Sequence, residues 1–205
     1  MILVHHLRIG RSIFTVWLLE ELGLDYELKI YNRNDMGRSP PELKDAHPLG
    51  KSPVVEIDGF VLAESVAIAT YLSDYYDPQN LLAPAKEDRD ARAKWLQWMM
   101  YSEASAFAPL LIKMLLMRDP DGGAPLLSMF SEGEVALQLG YMQDSLGDKA
   151  FILGDQFQAP DIGFTYICQV AERLGALGPY PELNAYLDRN MGRPAFQRAL
   201  EKTGG

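Results

Sequence analysis

Cysteine is nearly absent from this sequence, and its scarcity excludes several kinds of site. Cys168 is the single cysteine among 205 residues. One thiol cannot form an internal disulfide, a CxxC redox pair or a four-cysteine metal centre. Such sparing use of cysteine is typical of a reducing compartment, so we expect a cytoplasmic protein.

Positive charge and long apolar runs are also in short supply. Lysine and arginine total 19 against 28 acidic residues, which gives a formal net charge of −9. A nucleic-acid partner and an anionic membrane surface both require a basic footprint, so we expect neither. No uninterrupted apolar run reaches the roughly 20 residues of a membrane span, and no secretory pattern opens the chain. We therefore expect a soluble chain without a targeting segment.

Short strand-like and helix-like runs alternate over residues 1–76. Gly23 follows an amphipathic run, at the point where a helix C-terminus takes a left-handed residue. The dipeptide Asp58-Gly59 lies between two apolar runs and predicts a hairpin. The stretch from Ser39 to Glu42 has capping-box spacing with proline at the first helical position, and it predicts the start of a short helix. The resulting order is β-α-β-α-β-β-α.

Helical periodicity dominates the rest of the chain. Residues 77–88 contain two prolines and little periodicity, so we interpret them as a linker. We predict one helix that starts at a capping box at Ser131 and another with Asp161 as its N-cap. Mixed α/β structure followed by helices alone predicts two domains, over residues 1–76 and 89–205.

Four stretches of the sequence carry a resemblance to a known family. They are VWLLEELGLDYE from Val16, HPLGKSPV from His47, ESVAIATYL from Glu64 and DQFQAPDI from Asp155. In this order they resemble the cytosolic glutathione S-transferases, and the second resembles the loop of a bacterial and fungal branch. The resemblance implies a thioredoxin-like α/β N-terminal domain, an all-α C-terminal domain, glutathione as co-substrate and a homodimer.

Glutathione carries two carboxylates, one amine and a thiol, and two segments suit its charged ends. A helix start at Glu64 and Ser65 offers N–H groups and a hydroxyl to the γ-glutamyl carboxylate, unless Ser65 is only a helix cap. The Glu64 carboxylate suits the amine. Lys51 suits the glycyl carboxylate, unless it is only a solvated loop residue. The resemblance further implies that the Ser52 backbone pairs with the cysteinyl part and that Pro53 follows a cis peptide bond.

Only a thiolate attacks electrophiles, so the site must also stabilise a sulfur anion. The resemblance puts the activating residue in the turn after the first strand, which reads LRIGRSI from Leu7. Related sequences tend to have serine at the position of Gly10. Ser12 remains, either as a catalytic hydroxyl donor or as a helix cap. The N–H groups of Arg11 and Ser12, together with the Arg11 cation, are a second means of stabilising the anion.

An apolar electrophile requires an apolar surface, which we expect the second domain to supply. The expected lining residues lie on a long predicted helix from Asp88 to Met117 and on a later helix, and they are Tyr101, Phe107, Met114 and Tyr166. Methionine and aromatic residues at helical spacing equally suit a packed core, so both interpretations stay open.

Metal and cysteine chemistry are not expected. His5 and His6 are neighbours on a predicted strand, so their side chains point to opposite faces and cannot hold one metal ion. Cys168 lies among apolar residues of a predicted helix, which favours a buried, inert thiol.

The sequence therefore predicts a metal-free glutathione transferase that acts on a small apolar electrophile, a role in detoxification. Conjugation, reductive cleavage, peroxide reduction and glutathione-assisted isomerisation all stay open. The alternative is a non-catalytic protein that binds glutathione or apolar ligands, because Gly10 stands where related sequences have serine. Turnover with glutathione distinguishes the two.

Overall fold

The chain divides into two compact units in the computed structural model, which describes residues 1–119, 121 and 124–204. The first unit comprises Met1–Leu82 together with the segment from Gly192 onward, and the second comprises Ala83–Met191. The predicted limits at 1–76 and 89–205 stay a prediction. This division differs from them chiefly at the C-terminal segment, which groups with the first unit.

Four strands form one mixed sheet in the first unit, in the order β2-β1-β3-β4. They are β1 (Ile2–Leu7), β2 (Glu27–Tyr31), β3 (Val54–Ile57) and β4 (Phe60–Ala63). β1 is parallel to β2, and β3 is antiparallel to both β1 and β4. The register pairs His5 with Val54, and Val54 with Ala63. The end of β1, the start of β3 and the end of β4 therefore meet at one end of the sheet.

The helices of the first unit are α1 (Ser12–Leu22), α2 (Leu43–Ala46), α3 (Ser65–Tyr75) and, from a distant part of the chain, α9 (Pro194–Thr203). The order β1-α1-β2-α2-β3-β4-α3 confirms the predicted one. Gly23 ends α1 in the left-handed region with φ 63°, as its position in the sequence indicates. The turn Asp58-Gly59, with φ 49° and 87°, joins β3 to β4 as a hairpin.

Ion pairs attach α9 to α1. The Arg193 guanidinium donates to both carboxylate oxygens of Glu21, at 2.6 and 2.8 Å. Glu20 is buried, and it accepts hydrogen bonds from Arg198 at 2.7 Å and from Lys202 at 2.5 Å. These contacts explain why the C-terminal segment groups with the first unit rather than with the intervening helices.

The second unit consists of helices. They are α4 (Arg89–Tyr101), a π-helical segment (Ser102–Ala106), α5 (Phe107–Leu116), α6 (Pro125–Leu146), α7 (Ala159–Arg173) and α8 (Pro181–Met191). The π-helical segment is a wider turn inside one continuous helix, Arg89–Leu116, which matches the long helix predicted from Asp88 to Met117. The predicted helix start at Ser131 is wrong, because α6 begins at Pro125, which suits a first helical turn. Ser131 lies inside α6 and its hydroxyl donates to the Pro109 carbonyl at 3.0 Å.

Asp161 does not cap α7 in the way we predicted. The N-cap is Gln158, and Asp161 is the third helical residue of a capping box. One of its carboxylate oxygens accepts from the Gln158 N–H at 2.8 Å, and the other from the Ile152 N–H at 2.9 Å and the Tyr186 hydroxyl at 2.6 Å. The carboxylate therefore joins the start of α7 to the loop before it and to α8.

The two units together have the predicted fold class, a thioredoxin-like α/β unit and an all-α unit. In the second unit, the core includes the buried side chains Trp98, Leu139, Phe164 and Tyr186. Among the described residues, the run Arg89–Leu116 is long and apolar enough to span a membrane by length and composition. Core helices of globular proteins pass the same test, so this single run is weak evidence for a span.

Candidate functional site

The loop before β3 is tied to the end of β1. The Ser52 hydroxyl donates to the His5 carbonyl at 2.6 Å and accepts from the Leu7 N–H at 3.2 Å. The peptide bond between Ser52 and Pro53 is cis, as the resemblance implies. Ser52 and Pro53, two of the three residues predicted in this loop, therefore lie at the end of the sheet where β1, β3 and β4 meet.

The start of α3 lies at the same end of the sheet. Because Val54 pairs with Ala63, the residues that precede β3 and follow β4 are neighbours. Glu64 is the N-cap of α3, with φ 74° and ψ 120°, and no side chain makes a capping hydrogen bond. Ser65 is the first helical residue, so the interpretation of Ser65 as an N-cap is wrong. A helix N-terminus of this kind attracts a carboxylate.

Lys51 belongs to an ordered loop that joins α2 to β3. The Gly50 carbonyl accepts from the Ser39 hydroxyl at 2.6 Å, and the Gly50 N–H donates to the His47 carbonyl at 2.8 Å. The Lys51 side chain is exposed, one residue before Ser52. The structure thus brings Lys51, Ser52, Pro53, Glu64 and Ser65 to one end of the sheet in the first unit.

Ser12 and Arg11 lie at the start of α1, in the turn that follows β1. Ser12 is fully buried, and its hydroxyl donates to the Leu7 carbonyl and accepts from the Leu7 N–H, both at 3.2 Å. That hydroxyl closes the turn onto β1. Arg11 is the N-cap residue of α1 and is partly exposed. The first N–H groups of an α-helix have no partner within the helix, so this end of α1 suits an anion.

Arg33 contacts the same turn, although no pattern in the sequence indicates it. It follows β2 in an exposed polar loop, and its side chain donates to the carbonyls of Arg8 and Ile9. A single arginine among polar loop residues has no distinctive pattern. Only the parallel pairing of β1 with β2 brings it to the turn.

The residues expected to line an electrophile site make different contacts within the second unit. The rings of Phe107 and Tyr166 lie 5.9 Å apart, and Met114 follows Phe107 by two helical turns on α5. Tyr101 faces α6 instead, where its hydroxyl donates to Gln138 Oε1 at 2.6 Å. Burial raises the pKa of Tyr101 above its usual range. Tyr101, Phe107 and Tyr166 are all partly buried against the helical core, and Phe107 and Tyr166 are also in ring contact with each other.

The histidines and the cysteine lie where the sequence predicts. The ring nitrogens of His5 lie 2.8 Å from the Tyr31 hydroxyl and 2.7 Å from Glu56 Oε1. His6 is buried, and burial together with the Arg8 cation lowers its pKa to about 4. Cys168 is fully buried, and burial raises its pKa. The described residues contain no group of three or more histidine, cysteine or acidic side chains able to hold a metal ion.

Comparisons with known proteins agree on one family. The family model for the glutathione S-transferase N-terminal domain matches residues 1–74. Glutathione S-transferase 3 of Schizosaccharomyces pombe is 33% identical, over 98% of this chain and 88% of that protein. Glutathione S-transferase 1 of Saccharomyces cerevisiae is 28% identical, over 98% of this chain and 95% of that protein. The crystal structure of a glutathione S-transferase from Actinobacillus pleuropneumoniae has a TM-score of 0.91 and 36% identity, covering 100% of this chain and 94% of that chain.

Proposed function

Because this chain belongs to the glutathione S-transferase family and is a glutathione transferase, we propose that it holds glutathione at the end of the first unit's sheet and directs the thiolate at a small apolar electrophile. One observation carries this proposal. The register of β1, β3 and β4 brings the loop at Ser52 and the start of α3 at Ser65 to the same end as the start of α1. Two carboxylates and a sulfur anion require three such anchor points.

The anchor points differ in chemistry. Ser65 offers a hydroxyl and a helix N-terminus to the γ-glutamyl carboxylate, and the exposed Glu64 carboxylate faces the amine. Lys51 pairs with the glycyl carboxylate. The backbone of Ser52, next to Pro53, pairs with the cysteinyl part. Support for these roles comes from the exposure of Lys51 and from the absence of any side-chain cap on α3.

The sulfur anion is stabilised mainly by the start of α1. The Ser12 hydroxyl already bonds to both polar groups of the Leu7 backbone, so its contribution is to fix the turn. The N–H groups of Arg11 and Ser12, with the Arg11 cation, supply the positive potential that lowers the pKa of a thiol. A thiolate held in this way serves conjugation, reductive cleavage, peroxide reduction or isomerisation. Assays with one electrophile of each class identify the reaction.

The second unit supplies the apolar surface that receives the electrophile. Phe107 and Tyr166 are in ring contact and partly buried, and Met114 lies on the face of α5 that carries Phe107. Methionine adapts its shape to irregular ligands, which suits a broad range of electrophiles. Tyr101, partly buried against the same core, is the fourth lining residue of this proposal, and its hydroxyl donates to Gln138 Oε1.

Ser65→Ala is expected to weaken glutathione binding by roughly tenfold to a hundredfold, because it removes a hydrogen bond to a charged carboxylate. Isothermal titration calorimetry measures the dissociation constant directly. Ser73→Ala on the same helix is the matched control and should leave the constant unchanged, since Ser73 is buried at a distance from the helix start. Unchanged affinity in Ser65→Ala would contradict the site.

We also propose that the protein is cytoplasmic and belongs to the bacterial and fungal branch of the family. We further expect the chain to form a homodimer. Four exposed apolar side chains lie on the adjacent helices α4 and α6, and a second copy of the chain would cover them: Leu96, Met100, Leu137 and Tyr141. Sedimentation equilibrium should give twice the chain mass of 23.0 kDa. A wild-type chain that is monomeric at micromolar concentration would refute the dimer. The variant Leu137→Glu, by contrast, is expected to be monomeric.

A further inference from the structure

Arg33 connects the loop after β2 to the turn after β1. Its Nε donates to the Arg8 carbonyl at 3.0 Å, and its Nη2 donates to the Ile9 carbonyl at 2.8 Å. Its Nη1 donates to the Gly37 carbonyl at 2.9 Å. One planar guanidinium thus binds two successive carbonyls of the turn and one carbonyl of its own loop. A lysine could not reproduce this geometry, because an ammonium group has no planar fork of donors.

The turn that Arg33 binds contains an unfavourable backbone conformation. Ile9 has φ 56°, in the left-handed region that β-branched residues rarely adopt. Its side chain is exposed, so packing of the side chain does not hold the backbone there. The Arg33 bonds to the carbonyls of Arg8 and Ile9 stabilise this conformation. Residues held in this way are concentrated at functional sites.

Little space is left beside Gly10, because Arg33 and the Leu7 carbonyl lie close to it. A Cβ atom at position 10 would lie 3.2 Å from Arg33 Nη2 and 3.1 Å from the Leu7 carbonyl oxygen. Both separations are tighter than ordinary van der Waals contact. A side chain at position 10, directly before Arg11 and Ser12, would therefore crowd both the guanidinium and the Leu7 carbonyl.

We propose that Arg33 is a positioning residue for the glutathione thiolate: it fixes the turn Arg8–Gly10 so that the first N–H groups of α1 point at the sulfur. The inference rests on the proposed function, in which the start of α1 stabilises that anion. Gly10 then suits the close approach of Arg33 and of the Leu7 carbonyl to the turn, instead of marking the loss of an activating group.

Arg33→Ala and Arg33→Lys test the proposal through two readouts. The ultraviolet absorbance of bound thiolate, followed against pH, gives the pKa of the glutathione thiol, and an aryl halide assay gives kcat and KM. Both variants should raise that pKa by about one unit and lower kcat by about tenfold, with the KM for glutathione within about threefold. Arg33→Lys keeps the charge, so wild-type behaviour in that variant, or in Arg33→Ala, would overturn the proposal.

Gly10→Ala provides a second, independent variant. Its new methyl group should push the guanidinium aside by a few tenths of an ångström, weaken the Arg33 bonds to the turn and lower kcat in the same direction as Arg33→Ala. The losses in the double variant should be smaller than the sum of the two single losses, because both changes weaken the Arg33 bonds to the turn. Additive losses would overturn the coupling between the two residues.

Arg38→Ala is the matched control. Arg38 is an exposed arginine of the same loop, so the variant removes the same charge without touching the turn. The thiol pKa and kcat should stay at wild-type values, and equal losses would show that charge alone acts. If Ser65→Ala weakens binding while the Arg33 variants behave as wild type, only this inference fails. If Ser65→Ala leaves the dissociation constant for glutathione unchanged, the proposed site itself is refuted.

Discussion

Replacing Asp161 with asparagine is expected to lower the free energy of unfolding by about 3–4 kcal/mol. Asp161 is fully buried and accepts hydrogen bonds from two backbone N–H groups and the Tyr186 hydroxyl. An asparagine amide replaces one acceptor oxygen with a donor, so at least one buried N–H or hydroxyl loses its partner. An unpartnered buried polar group retains its full desolvation penalty.

Urea denaturation followed by far-ultraviolet circular dichroism measures this loss. Asp155→Asn is the matched control, because Asp155 is an exposed aspartate in the loop before α7 and should change the free energy by less than about 0.5 kcal/mol. A loss below about 1 kcal/mol in Asp161→Asn would mean that the three hydrogen bonds contribute little to α7 and its neighbours.

Replacing Glu20 with glutamine is expected to lower the free energy of unfolding by about 2–3 kcal/mol at pH 7. Burial alone would raise the pKa of Glu20, but hydrogen bonds from Lys202, Tyr26 and Arg198 outweigh it and lower the pKa to about 2. A glutamine cannot neutralise the two cations of α9. Because those cations are about half exposed, solvent screening keeps the effect below that of Asp161.

The contribution of Glu20 to the free energy of unfolding depends on pH, and the lowered pKa of its carboxyl group determines the direction of that dependence. The folded pKa lies below the ordinary value of 4.5, so the contribution is complete above pH 4.5 and declines as the pH falls toward 2. The difference in unfolding free energy between wild type and Glu20→Gln should therefore shrink between pH 5 and pH 3. Glu201→Gln, on the exposed side of α9, should show no such convergence. A constant difference across this range would be inconsistent with an ion pair.

Local patterns predicted the fold of the first unit because its signals are short-range. Gly23 ends α1 and Asp58-Gly59 turns the hairpin through backbone conformations that few other residues adopt. Ser65 and Ser52 were predicted as site residues from their motifs, and the strand register brings both to one end of the sheet. Periodicity did not predict this register, because the register depends on pairing between strands that are distant in the sequence.

Long-range contacts account for what the sequence did not predict. Ser131 fits a capping box, yet Pro125 starts the helix and the Ser131 hydroxyl bonds to Pro109 on another helix. Arg33 reaches Arg8 and Ile9 only because β1 and β2 pair in parallel. The hydroxyl of Ser12 suits catalysis by residue type, but its bonds to Leu7 are visible only in three dimensions.

The attachment of α9 to α1 has a consequence for synthesis on the ribosome. Glu20 and Glu21 are translated long before their partners Arg193, Arg198 and Lys202, because residues 83–191 emerge in between. At typical elongation rates, synthesis of residues 83–191 takes roughly 5–20 s. During it the nascent first unit lacks its last helix, and Trp17 lacks the Phe196 ring that packs 4.7 Å away. A truncation after residue 191 would make that unfinished state permanent.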